Sequence, residues 1–223
     1  MRKIDTILFD FDGTVMDTTD VIVNSWQHTF KILEGKERPL KDIYPTFGEP
    51  LSTTMGKFFP DHPVEESIKI YRSYQYDNFG HMIKVFPGMK ELLIDLQKDG
   101  YTLALVTSRL LGTTMQGLNA YDLNQYFDTV LTCEDTDKHK PDPAPINITL
   151  ERLNKKPENS IMIGDTMFDI LCAKNAHVKS ILVDWSVSVS EEERNGENAP
   201  NYIIKDPMEI KDILKQLNSL YTE

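Results

Sequence analysis

The chain is predicted to be a doubly wound α/β fold, a parallel sheet with helices on both faces, interrupted early by an all-helical insert. Three observations predict it. Short buried strand patterns alternate with amphipathic helix patterns from about residue 87 onwards. One further strand pattern, Thr6, Ile7, Leu8 and Phe9, stands alone near the N-terminus. Between them, residues 16–86 keep helical or loop character without a strand pattern, punctuated by Pro39, Pro45, Pro50, Pro60 and Pro63. The expected organisation is a core of residues 1–15 and 87–223 carrying a helical insert of 16–86. With 223 residues, such a chain should bury roughly 70–75% of its unfolded surface.

The elements follow in order. Ile22, Trp26, Phe30 and Leu33 recur at helical spacing, with Thr18, Thr19 or Asp20 as N-cap and a stop near Gly35. Pro87-Gly88 introduces a helix through Met89, Leu92, Leu93 and Leu96, closed by Gly100, and the run YTLALVT at 101–107 is a buried strand. Then come a helix with Met115 and Leu118, a short strand at Thr129, Val130 and Leu131, and a helix over about 144–153. Ile161, Met162 and Ile163 form the next strand, followed by a helix through Ile170, Leu171 and Ala173. Residues 180–183 and Tyr202, Ile203 and Ile204 supply two more strands, and a terminal amphipathic helix carries Ile210, Ile213, Leu214 and Leu217. Residues 186–198, with Glu191, Glu192 and Glu193, read as a solvated loop or short helix.

Hydrophobic content of 40% and charged content of 26% are those of an ordinary globular chain and exclude disordered and coiled-coil classes. A formal net charge of -11 argues against a nucleic-acid partner, because phosphate-backbone binding needs a basic face. An anionic substrate must then be attracted locally, by a metal and a few placed cations. Cys133 and Cys172 lack ligand spacing and read as buried reduced thiols, which points to a cytoplasmic setting. No signal-type stretch opens the chain, and no window approaches the ~18 apolar residues of a membrane span.

The chemistry concentrates at strand ends. Asp10 and Asp12 end the first strand and point the same way from an extended segment, where like charges repel unless a cation or a shared proton holds them. Thr107, Ser108 and Arg109 follow the 101–107 strand, Asp165 and Asp169 follow the strand at 161–163, and Lys140 sits in a proline-stiffened loop. Parallel strands present their carboxyl ends on one side, so these residues can converge. Several carboxylates without His or Cys make a hard oxygen site suited to Mg²⁺ rather than zinc. A lysine and a hydroxyl beside that ion are what a phosphoryl group needs, and a carboxylate there can attack phosphorus to give an acyl phosphate. Taken singly, each residue also has a plainer reading. Asp-x-Asp is a common acidic turn, Thr107 a strand end, Lys140 and Arg109 surface cations, and Asp169 an acid in a first helical turn. The five histidines show no ligand spacing, and Trp26 and Trp185 read as packing residues, Trp185 following a strand end where it could line a pocket.

Together, Asp10-Phe11-Asp12-Gly13-Thr14, Thr107, Lys140 and Gly164-Asp165-x-x-x-Asp169 resemble the four motifs of the haloacid dehalogenase superfamily, and the insert is similar to the cap of its phosphoglycolate phosphatase-like branch. The resemblance spans essentially the whole chain and implies a Rossmann-like core. It implies Asp10 as nucleophile and Asp12 as general acid, later drawing a proton from water. It places Mg²⁺ on the Asp10 carboxylate, the Asp12 carbonyl and the Asp165 carboxylate, with Asp169 orienting metal-bound water or Lys140. Thr107 and Lys140 would hold the phosphoryl oxygens together with N–H groups of Phe11, Asp12 and Ser108. Arg109 stands where relatives often carry a basic residue. The cap loop at 46–51 would read the leaving group, Glu49 placing a negative charge near it. The implied function is Mg²⁺-dependent hydrolysis of a small phosphomonoester resembling phosphoglycolate, by a monomer or homodimer. Inorganic pyrophosphatase of the same branch is the alternative, followed by a β-phosphoglucomutase-like mutase and last by a receiver-like phosphoacceptor. The acid of Asp12-Gly13-Thr14 and the carboxylates Asp165 and Asp169 stand against metal-free dehalogenation.

Overall fold

The structure, a computed structural model, describes residues 4–219. Strand β1 (Thr6–Phe9) is followed by a two-residue strand β2 (Met16–Asp17) and helices α1 (Thr19–Glu34), α2 (Leu40–Ile43), α3 (Leu51–Phe58) and α4 (Val64–Met82). The chain continues through β3 (Lys84–Val85), α5 (Met89–Lys98), β4 (Thr102–Val106), α6 (Leu111–Ala120), β5 (Thr129–Leu131) and α7 (Ala144–Arg152). It ends with β6 (Ser160–Gly164), α8 (Met167–Asn175), β7 (Lys179–Val183), α9 (Glu191–Asn195), β8 (Tyr202–Ile204) and α10 (Glu209–Ser219). Helix α1 stops at Gly35, whose φ of 75° is left-handed and whose N–H donates to the Lys31 carbonyl.

The main sheet has the order β5-β4-β1-β6-β7-β8, with every pair parallel. From β1 the chain builds outwards through β4 and β5, then crosses back to β6 and builds the other way. The topological switch point therefore lies between β1 and β6, where open α/β sheets bind ligands. Phe9 is level with both Leu105 and Ile163, so the residues after β1, β4 and β6 leave the sheet at one edge.

Period-two alternation divides the core. Ile7, Phe9, Leu103, Leu105, Ile161 and Ile163 pack on one face with Leu92, Leu96, Ile210 and Leu214 of α5 and α10. Leu8, Ala104, Val106 and Met162 pack on the other with Ile146 and Leu150 of α7 and Cys172 and Ala173 of α8. Both faces being covered is why these strands read as continuous apolar runs. The four helices of the insert gather around Trp26, Phe30, Ile43, Met55, Phe59 and Tyr71, with Trp26 stacked on Phe30 at 5.8 Å between ring centroids.

Two expectations are corrected. Residues 16–86 do contain strand: β2 and β3 pair antiparallel, Met16 with Val85 and Asp17 with Lys84, joining the two chain crossings between sheet and insert. Their side chains reinforce the ribbon, Lys84 Nζ lying 3.3 Å from the Asp17 carboxylate. Strands of two residues carry no readable periodicity. Cys133 is only half-buried, because it sits in a short 3₁₀ turn after β5 instead of in the sheet, while Cys172 is buried as expected. Trp185 packs as expected, on Phe86, and its indole N–H donates to the Gly13 carbonyl at 2.9 Å. No helix among the described residues is long and apolar enough to cross a membrane.

Candidate active site

Strand β1 delivers Asp10, whose own N–H donates to the Ile163 carbonyl at 2.9 Å and so ties the acidic turn to β6. The turn closes through Gly13 N–H to the Met16 carbonyl and Met16 N–H to the Phe11 carbonyl. Gly13 has φ of 71°, and a Cβ there would stand 2.1 Å from Asp165 Oδ2. Glycine is therefore required for both conformation and space. The Phe11 ring is fully buried and lies over Gly117, so Phe11 can serve the site only through its backbone. Among the described residues, the N–H groups of Phe11, Asp12 and Ser108 donate to no protein acceptor, which leaves three donors for an anion.

After β6, Thr166 caps α8 reciprocally with Asp169: Thr166 N–H and Oγ1 donate to Asp169 Oδ2 at 3.1 and 2.7 Å. The other Asp169 oxygen accepts from Lys140 Nζ at 2.6 Å, and the same ammonium donates to Asp10 Oδ1 at 2.7 Å. Lys140, read alone as a surface cation, is thus buried between two acids. Thr107 follows β4, is buried, and its hydroxyl accepts from the Arg109 N–H at 3.2 Å.

One oxygen from each of Asp10, Asp165 and Asp169 lies within 4.8 Å of the others. Burial raises the Asp10 carboxyl to about 7 against the opposing pull of Lys140, with Asp169 and Asp12 adding to the rise. Burial likewise pushes Asp165 well above the usual carboxylate range, helped by Asp169, Asp10 and Asp12. The Lys140 pKa is raised as well: burial alone would lower it, but Asp10 and Asp169 outweigh burial and hold the ammonium charged. Three buried carboxylates against one lysine leave negative charge unbalanced, and Asp165 Oδ1 is buried without any hydrogen-bond partner. An all-oxygen donor set with an orphaned carboxylate oxygen fits a hard divalent cation such as Mg²⁺. The Asp12 carboxylate lies outside this group, so among the predicted metal ligands Asp12 can contribute only its backbone carbonyl.

Arg109, for which a surface position was an equal expectation, is buried instead. Its Nε and Nη2 donate to the Asp12 carboxylate at 3.0 and 2.8 Å, and its guanidinium lies 4.6 Å from the centroid of the Phe79 ring. Arg109 Nη1 has no partner and is buried. Glu49 lines the cavity, but its charge is paired there. Its carboxylate accepts from Thr54 Oγ1 at 2.7 Å and from Lys57 Nζ, so its charge is compensated and does not stand free over the site.

These residues line one cavity of about 220 Å³, closed on the insert side by the 46–51 loop and by α1 and α4. Gly48 makes the closest approach: its φ is 82°, and a Cβ would lie 2.8 Å from Thr166 Oγ1 and 2.9 Å from the Phe168 ring. Gly48→Ala should hold the loop off the sheet and lower kcat/KM by about 10- to 100-fold, and the strain of a Cβ at positive φ should lower the melting temperature by a few degrees; steady-state kinetics beside a thermal melt check both. Not legible in the sequence is the α4 face, where Tyr71, Arg72, Gln75 and Tyr76 also line the cavity. Their i, i+4 spacing was readable, but which face of α4 looks at the core depends on how insert and sheet meet.

The sequence profile of the haloacid dehalogenase-like hydrolases matches residues 7–183. The chain belongs to this family. Among these hydrolases it is 37% identical over 213 residues to the putative pyrophosphatase PpaX of Caldanaerobacter subterraneus subsp. tengcongensis, covering 96% of each chain. It is 31% identical to the pyrophosphatase PpaX of Halalkalibacterium halodurans, covering 95% of this chain and 97% of the relative. The haloacid dehalogenase-like hydrolase SP0104 from Streptococcus pneumoniae superposes with a TM-score of 0.84 at 27% identity, over 95% of this chain and 98% of the other. A predicted phosphatase from Clostridium acetobutylicum gives 0.83 at 28%, over 95% and 99%. This haloacid dehalogenase-like hydrolase is a phosphatase.

Proposed function

We propose that the phosphatase hydrolyses inorganic pyrophosphate with Mg²⁺ through an aspartyl-phosphate on Asp10. The observation that carries the phosphoryl-transfer reading is the convergence of Asp10, Asp165 and Asp169 at the switch point of the sheet, with Lys140 bonded to Asp10 and Asp169. From the sequence motifs, a phosphoglycolate-like monoester is the first expectation. Two things reverse that order: the relatives named pyrophosphatase, matched over 95% or more of each chain, and the pairing of Glu49 with Lys57, which offsets part of the charge that spoke against an anionic leaving group.

In this reading an Asp10 oxygen attacks phosphorus as the bond to the leaving phosphate oxygen breaks, and water later attacks the acyl phosphate to regenerate Asp10. The Asp10 and Asp165 carboxylates and the Asp12 carbonyl would hold Mg²⁺, which would supply positive charge against the phosphoryl oxygens. Lys140, the Thr107 hydroxyl and the N–H groups of Phe11, Asp12 and Ser108 hold those oxygens in place. Asp12 passes a proton to the leaving oxygen and takes one from the hydrolytic water. Phosphate leaves readily as an anion near neutral pH, so the first demand on Asp12 is small. That suits a carboxylate both of whose oxygens accept from Arg109. Arg109 takes part in substrate binding, and residues 16–86 serve as a cap over a core of 1–15 and 87–223. A cytoplasmic setting keeps Cys133 and Cys172 as free thiols.

A second reading rests on the apolar wall of Ile22, Trp26, Phe47 and Leu51, which would suit the carbon portion of a small phosphomonoester. Phosphate release by the full chain with Mg²⁺ decides between them, with pyrophosphate, 2-phosphoglycolate, glucose 1-phosphate and p-nitrophenyl phosphate as substrates. Pyrophosphate should lead in kcat/KM by about tenfold or more. A lead for 2-phosphoglycolate would replace the first reading by the second.

A further inference from the structure

We infer that Arg72 on α4, together with Arg109, forms a subsite for a second phosphoryl group and so selects diphosphates over monoesters. The inference rests on, and deepens, the pyrophosphatase reading. Three cations line the cavity, and two are already engaged: Lys140 by Asp10 and Asp169, and Arg109 by Asp12. Arg72 is exposed and, among the described residues, makes no ion pair or hydrogen bond through its side chain. It is therefore the cation in this cavity that can meet a ligand without first leaving a carboxylate.

Its place in the fold suits that task. Arg72, Gln75 and Tyr76 share one face of α4 at i, i+3 and i+4, and all three line the cavity from the cap side. Tyr71, buried beside them, lines the same cavity, as do Arg109 and Asp12 across from α4. Arg109 brings the buried Nη1 that has no partner. A diphosphate carries more charge than a monoester into a chain of net charge -11. Its second phosphoryl group needs cations beyond those holding the first, and a guanidinium offers the forked donor geometry that phosphate accepts.

The test uses binding, so that it does not depend on which substrate turns over. Inhibition of p-nitrophenyl phosphate hydrolysis by imidodiphosphate and by orthophosphate gives a ratio of inhibition constants for the full chain and for Arg72→Gln. The wild type should prefer imidodiphosphate by about tenfold or more, and Arg72→Gln should bring that preference to within about threefold, the loss expected for one charge-assisted contact. Arg72→Lys should retain part of the preference. A wild type without the preference, or an Arg72→Gln variant that keeps it in full, overturns the inference. Because Arg72 is exposed, the variant should melt with the wild type. A lead for 2-phosphoglycolate in turnover would instead overturn the pyrophosphatase reading and leave the inhibitor ratio to judge Arg72 by itself.

Discussion

Asp10→Asn should lower kcat by about four orders of magnitude or more, to the level left by binding and orientation alone. Asparagine keeps the shape of the side chain and an oxygen that can accept from Lys140, but its amide cannot attack phosphorus and stay available for hydrolysis. The loss is therefore chemical and not architectural. Stability should hold or improve without divalent cation, and the sign follows from the electrostatics. The folded pKa of Asp10 is raised by burial to about 7, so above the ordinary carboxylate range the ionised form costs the folded state stability that the neutral amide does not. Steady-state kinetics, acid-trapping of a phosphorylated chain and thermal melts at about pH 8 check the three parts. A variant with full activity, or a wild type that never becomes phosphorylated on Asp10, would remove Asp10 from the nucleophile's role.

Much of this arrangement is legible in the sequence because it follows from local rules. Both faces of the sheet being covered makes Ile161, Met162 and Ile163 read as a strand wherever they occur. Parallel strands then bring Asp10, Thr107 and Asp165 to one edge without any knowledge of loops. What the sequence hides depends on partners chosen in three dimensions. Arg109 looks like a surface cation until Asp12, 97 residues away, accepts its hydrogen bonds between the rings of Phe11 and Phe79. Glu49 looks like a free charge until Lys57, one α3 helix later, closes on it. The β2–β3 ribbon escapes for a different reason, since its strands are shorter than one period of the pattern that would announce them.

Lys140→Met should cost both activity and stability, and the two losses should respond differently to cation. The ammonium is buried and is the hydrogen-bonding partner shared by Asp10 and Asp169. Removing it leaves two buried carboxylates facing each other and a third, Asp165, beside them. Breaking a buried pair from one side typically costs about 3–5 kcal/mol, which for a chain of this size lowers the melting temperature by roughly 10 °C. Added Mg²⁺ should return part of that stability, because a divalent cation neutralises the same oxygens. It should not return activity, since the charge that meets the transferring phosphoryl group is still missing; kcat should stay down by about 10²- to 10³-fold. Lys140→Arg sharpens the test. It restores charge but not a compact ammonium fitting between Oδ1 of Asp10 and Oδ1 of Asp169, so it should recover more stability than turnover. Combining Lys140→Met with Asp169→Asn should cost less stability than the sum of the single changes, as expected when two groups share one buried pair. A Lys140→Met chain that turns over like the wild type, or single changes that simply add, would show that the lysine is a bystander to both the chemistry and the acidic cluster.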